Sequence, residues 1–208
     1  MAITKIQAES MNLADTYAFT GSVSGAGAGA WEVVNSTTST NTSTAEVTGF
    51  DNGNNYYWIK ARIEPLTDSA SNHVMCQFGN SGGYYSLGHS TVTEIYQNQD
   101  NSDSHRDFTS SSHDGSRLQM VTNPVTRNSP DVGKTVGIFH IYTNNPNQAD
   151  MYTWLGGHGN YHHTTNYSMR SQFTGIYSNN TQFTKAKIFL ASGNSFKCTV
   201  TLYGSLDS

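Results

Sequence analysis

The chain has 208 residues and a net charge of −4, a length that suits one β-sandwich domain of about 200–250 residues. Ser, Thr and Asn supply 70 of those residues while only 12% are charged, against about 25% charged in an average soluble domain. The 11 Lys and Arg are scattered, which argues against a nucleic-acid partner, and no apolar run is long enough to insert into a membrane.

Solubility carried by hydroxyls and amides suits β-structure. Threonine fits a half-buried pleated surface, and Asn, Ser and Gly supply turns. Twelve Tyr, nine Phe and three Trp, spread along the whole chain, argue against disorder and provide the large side chains of a thin core between two sheets.

In the first 24 residues the apolar points are sparse (Ile3, Ile6, Met11, Leu13), and Tyr17, Phe19 and Val23 then alternate as in a strand. We read residues 1–24 as an extended N-terminal arm and 25–208 as one β-sandwich domain. Only Gln7 to Leu13 approaches a helical period. Gly25 to Ala30 alternates Gly with Ala and lacks the Gly-Lys-Ser/Thr ending of a phosphate loop. Ser36 to Thr44, almost all Ser, Thr and Asn, is a long exposed loop or an irregular edge. Asp51-Asn52-Gly53-Asn54 contains the Asn-Gly hairpin signal.

Tyr57, Ile59, Ala61 and Ile63 alternate with Trp58, Lys60 and Arg62 until Pro65 stops the run. Val74, Cys76 and Phe78 predict the next strand, and Val92 with Ile95-Tyr96 another. Leu118 to Val121 follows an Asp-Gly turn. From 136 to 142, apolar residues occupy both alternating sets, as in a strand buried on both faces mid-sandwich. Ala186, Ile188 and Leu190 lead through Ser192-Gly193-Asn194 to Phe196, Cys198, Val200 and Leu202, which alternate with Lys197, Thr199, Thr201 and Tyr203. This last pair reads as a hairpin. The whole predicts an all-β fold: an antiparallel sandwich, jelly-roll-like, of about ten strands.

Several constellations invite chemistry. Gly79-Asn80-Ser81-Gly82-Gly83 resembles the nucleophile loop of chymotrypsin-like proteases, but only His73 precedes Ser81, too near to match that order. A turn between strands explains it better. His158, His162 and His163 form the best metal candidate, since His158 and His162 share a strand face. With no carboxylate or Cys beside them, a polar aromatic segment is the preferred reading, and no metal or other cofactor is expected. The acids around His105 lack a calcium-loop pattern. Cys76 and Cys198 read as buried thiols rather than a disulfide. Four Asn-x-Ser/Thr sequons begin at Asn35, Asn41, Asn166 and Asn179 and are by-products of composition.

The opening Ile3 to Gln7, with Asn12-Leu13-Ala14-Asp15-Thr16-Tyr17-Ala18-Phe19-Thr20-Gly21, resembles the start of small structural proteins of tailed, especially marine, phages. Tyr57-Trp58-Ile59-Lys60, Ile63 to Asp68, and the ending Ile188 to Asn194 through Thr199 to Gly204 fit the same pattern. The resemblance implies a non-enzymatic β-sandwich on a virion, made in the host cytoplasm. It also implies an arm that joins other virion proteins and self-association, most simply as a homotrimer. A chain with no apolar leader core in Met1 to Ala8 but an extracellular-type surface fits that route. We expect a tail-fibre or similar appendage; the alternative is a capsid decoration protein on the head. A carbohydrate-active enzyme would need paired carboxylates that the five Glu do not suggest. Any recognition surface, for example for a host glycan, is expected in loops around Tyr84-Tyr85 and Tyr152 to Tyr167. There Tyr84, Tyr85, Tyr152, Trp154, Tyr161 and His162 combine aromatic faces with amides.

Overall fold

The computed structural model describes residues 31–65, 73–98, 103–108, 117–121, 137–164, 167–177, 180–191, 193 and 195–205. The predicted arm, 1–24, lies outside them. The strands are β1 (Glu32–Thr42), β2 (Thr44–Thr48), β3 (Tyr56–Pro65), β4 (Val74–Asn80), β5 (Gly83–Tyr84), β6 (His89–Asn98), β7 (Asp103–Phe108), β8 (Leu118–Gln119), β9 (Gly137–Asn144), β10 (Trp154–Thr164), β11 (Tyr167–Ile176), β12 (Lys185–Leu190) and β13 (Phe196–Ser205). Among the described residues they form two antiparallel sheets and no helix. The large sheet runs β1-β13-β3-β9-β10-β11-β6-β7; the small one runs β2-β12-β4-β5, with β8 added to β4.

The sheets pack face to face, so the predicted sandwich is the observed fold. Alternation decides which side chains enter. Tyr57, Ile59, Ala61 and Ile63 of β3 point in with Phe139 and Ile141 of β9 and Cys198, Val200 and Leu202 of β13. They meet Ala45, Val47, Cys76, Phe78, Ala186 and Ile188 of the small sheet. Cys76 and Cys198 are free and buried on opposite sheets. Burial pushes the Cys198 thiol up to about 12 and the Cys76 thiol higher still.

Two predicted hairpins are corners instead. β12 pairs with β2 and β4 in the small sheet, whereas β13 pairs with β1 and β3 in the large one. The Gly193 turn (φ 72°) therefore carries the chain across the sandwich. The Asn52-Gly53 turn does the same between β2 and β3, with Gly53 at φ 85°. Turn chemistry specifies a reversal, but not whether the strands it joins will pair. Tyr57 pins this second corner: its hydroxyl donates to the Phe50 carbonyl at 2.9 Å, and it lies 2.7 Å from Asn52 Oδ1.

The Ser/Thr-rich stretch after Asn35 is an irregular edge, not a loop. It belongs to β1, with register shifts between Val33 and Asn35 and between Ser39 and Thr42. Hydroxyl pairs Ser36–Thr201 and Thr38–Thr199, each 3.1 Å, line its contact with β13. The Gly79 to Gly83 segment is the turn joining β4 to β5, in which the Gly82 N–H donates to Asn80 Oδ1 at 2.8 Å.

Candidate binding face

The residues singled out from the sequence do not gather in one loop cluster. Tyr84 and Tyr85 belong to the small sheet's end of the molecule. Tyr84 donates its hydroxyl to Glu46, and the Lys187 and Lys185 ammonium groups lie 4.0 and 4.8 Å from its ring centre. Burial, then the Glu46 hydrogen bond, raises the phenol's pKa. Lys187 also sits 4.9 Å from the Phe189 ring, and burial, with Arg117 and Lys185 nearby, lowers its pKa. Tyr85 packs inward, 5.6 Å from Phe183, with its hydroxyl on Asn80. It acts in packing.

The loop expected from Tyr152 to Tyr167 is instead mostly strand, because Leu155, Gly157, Gly159 and Tyr161 alternate inward along β10. Tyr161 is 4% exposed, stacks 6.0 Å from Phe139 and donates its hydroxyl to the buried Glu94. It is a core residue, so its expected place on a recognition surface is corrected. Trp154, His158 and His162 point outward from the same strand, and Tyr152 lies exposed just before it. His158 does share a face with His162, but its ring stacks 4.8 Å from His140 on β9. The side chain of His163 lies outside the described residues. Among the described residues no group of three or more His, Cys, Asp or Glu is placed to hold a metal ion.

The outer face of the large sheet holds what the sequence did not single out. Strand register sets Tyr203 opposite Trp58, Trp58 opposite Tyr142, and His140 opposite His158. Their rings stack across the strands: Tyr203 to Trp58 at 4.4 Å, Trp58 to His140 at 5.4 Å and Trp58 to Tyr142 at 6.0 Å, all within 18° of parallel. Such offset stacks add about 0.5–1.5 kcal/mol per pair beyond area burial. The Trp58 indole N–H donates to His140 Nδ1 at 3.1 Å. That bond requires a lone pair on Nδ1, so it holds His140 neutral with its proton on Nε2. Burial, then the neighbouring His158 and Lys60, lowers the His140 pKa.

Trp31 meets this stack edge-on, 6.1 Å from Trp58 and 6.4 Å from Tyr142 at 77° and 63°. No ring among the described residues stacks on its face, and it is 40% exposed. The exposed Val33, Tyr56, Ile95, Trp154 and Ile176 point from this same face. Beyond the stack, Ile138, Asn160, His162 and Ser168 line a cleft of about 260 Å³ floored by Tyr161 and Met169. The face thus runs from an aromatic stack to a mainly apolar cleft, and it also presents Lys60, Arg62 and Arg170. This explains the two apolar faces of β9. Phe139 and Ile141 enter the core, while Ile138, His140 and Tyr142, half-buried, build the outer face, and among the described residues no second sheet packs on that side.

The one available signal was that Trp58, Tyr142 and Tyr203 all fall in the outward register of their strands. Only the strand order brings them together. Comparison with protein-family models and with curated proteins finds no match for the chain.

Proposed function

We propose that the chain is a non-enzymatic structural protein of a phage virion, an appendage component that recognises a host-surface glycan. The phage-like opening and closing segments support the virion role. The carrying observation for recognition is the outward-facing aromatic surface of the large sheet, with Trp31, Tyr56 and Trp154 exposed on it. Contiguous apolar surface on a folded domain marks interaction sites. Aromatic rings bordered by Asn, Gln and Thr suit a ligand that is apolar on its ring faces and hydroxylated at its rim, as a sugar is. A rigid sheet also holds these groups in fixed positions, which limits the ordering cost of binding.

The test is a particle carrying Trp31→Ala, Trp154→Ala and His162→Ala together, with thermal unfolding of the purified variant as a check on folding. The expected result is normal assembly with lost adsorption to host cells. Normal adsorption overturns the recognition role. Failed assembly by a folded variant moves the face to contacts between virion subunits, as in a head decoration protein.

A further inference from the structure

We propose that the β2–β3 corner modifies itself: Asn52 cyclises onto the Gly53 nitrogen and releases ammonia, with Tyr57 and Asn54 as the donors that stabilise the oxyanion formed on the way.

This is the single Asn-Gly pair in the sequence, and it is exposed at the turn that carries the chain from one sheet to the other. The nucleophile is the Gly53 amide nitrogen. A Cβ on Gly53 would meet nothing within 4 Å, and its N–H donates to no protein group among the described residues. Solvent base therefore reaches that hydrogen. The leaving group, Asn52 Nδ2, is likewise held by no protein acceptor among the described residues.

The electrophile is Asn52 Cγ. Its Oδ1 is approached by two donors, Asn54 Nδ2 and the Tyr57 hydroxyl, each at 2.7 Å. Donors already aimed at the oxygen on which charge develops lower the barrier to acyl transfer. The Tyr57 hydroxyl has one hydrogen and a second acceptor, the Phe50 carbonyl at 2.9 Å. Charge building on Oδ1 draws that hydrogen to the nearer oxygen. Burial raises the Tyr57 pKa above its ordinary 10.0, so the phenol keeps its hydrogen in mildly alkaline solution. Asn54 is packed in place: its Nδ2 lies 2.2 Å from where a Cβ on Gly204 would stand.

The atoms balance with water and hydroxide alone. Hydroxide takes the Gly53 hydrogen, the nitrogen forms a bond to Cγ, and the charge moves to Oδ1. Collapse breaks the Cγ–Nδ2 bond. Nδ2 leaves as ammonia with a proton from water, and a succinimide remains. Water then opens the ring at Cγ to give aspartate, or at the backbone carbonyl to give isoaspartate. Either product sets a new carboxylate beside Asp51, and isoaspartate lengthens the corner by a methylene. Asn80 is the internal comparison. Its Oδ1 also meets two donors, the Gly82 N–H at 2.8 Å and the Tyr85 hydroxyl at 3.2 Å. Its Nδ2, however, is held by the Gln182 carbonyl at 2.9 Å, and Ser81 rather than glycine follows it.

The experiment follows the full-length protein in mildly alkaline buffer, folded and unfolded in guanidinium chloride, by peptide mapping that resolves asparagine, aspartate and isoaspartate. The expected result is conversion of Asn52 to both acids, several-fold faster in the folded chain than in the unfolded one, with Asn80 persisting. Tyr57→Phe and Asn54→Ala each slow the folded chain's conversion by about tenfold or more. A merely structural role for these side chains would loosen the corner and speed it instead, which overturns the proposal. Should Tyr57→Phe not fold, Asn54→Ala and the folded-to-unfolded ratio of the unaltered chain decide. An unfolded chain that reacts as fast as the folded one, or a folded chain in which Asn52 persists, overturns the proposal. So does aspartate without isoaspartate, which marks direct attack by water rather than ring closure.

Discussion

His140 gives the outer face a response to pH. Its neutral form accepts the Trp58 indole hydrogen, and protonation would replace that acceptor with a charge beside Lys60. Its pKa is lowered by burial first and by His158 and Lys60 after it, from an ordinary value of 6.5. The unfolded chain therefore takes up this proton before the folded one. The stabilising contribution is complete above pH 6.5 and is lost as pH falls through the folded value. Titration by ¹H–¹⁵N NMR is expected to show His140 with a midpoint below 6.5; a midpoint at or above it contradicts the neutral assignment. Tyr57 is the residue-scale anchor of the β2–β3 corner. Tyr57→Phe leaves the Phe50 carbonyl without its hydroxyl donor, and an unmet buried partner costs about 1–3 kcal/mol, measurable by urea unfolding. At this scale the sequence was legible where burial follows alternation: Ile59, Cys76 and Val200 were placed inward, and they are. The candidate site was legible only in pieces. Trp154, His158 and His162 do face outward, but Tyr161 has an aromatic ring long enough for the core and a hydroxyl that finds Glu94 there. Polarity of its neighbours in sequence concealed both facts.

Among the elements, β10 depends on having no side chain at Gly157. A Cβ there would meet the His140 carbonyl and the Phe173 ring well inside van der Waals contact. Gly157→Ala must push β9 and β10 apart or tilt Phe173, and overpacking of this kind costs about 1–3 kcal/mol. Because His140 and His158 face each other across that pairing, the same variant is expected to lose part of the near-ultraviolet circular dichroism of the aromatic stack before it unfolds. An unchanged spectrum and midpoint would show that the strands have slack. Strand existence could be read from alternation at β3, β9 and β13, because period-2 burial is a local property. The pairing of β12 could not. Its Ala186, Ile188 and Leu190 and the next strand's Phe196 and Cys198 all point to the core, and alternation is the same whether two consecutive strands share a sheet or face each other across a sandwich. The outer aromatic stack was hidden for a related reason, since its members come from β3, β9, β10 and β13 and meet only through the strand order.

For the whole molecule, the composition was sufficient for the fold class. Threonine and aromatic abundance with few good helix formers left little but strands. We expect a homotrimer, on the phage-appendage resemblance and the exposed apolar surface; light scattering of the full-length protein checks it, and a monomeric mass at micromolar concentration counts against it. Deletion of residues 1–24 is expected to leave the sandwich folded and to abolish incorporation into particles, whereas a truncated protein that fails to fold makes this segment part of the core. Both thiols are expected to resist a thiol-specific reagent until denaturant is added, because each is buried and its thiolate disfavoured. Finally, β13 sits between β1 and β3 and touches both along their length. A chain emerging from the ribosome has made β1 and β3 long before the strand that joins them. Until residues 196–205 appear, two long edges wait unpaired in the same nascent chain, and unpaired edges recruit other strands. Closure by the last strand of the sheet to be made means that synthesis of residues 196–205 is the event that commits the large sheet. It also makes any product truncated before Phe196 a template for aggregation rather than a smaller version of the fold.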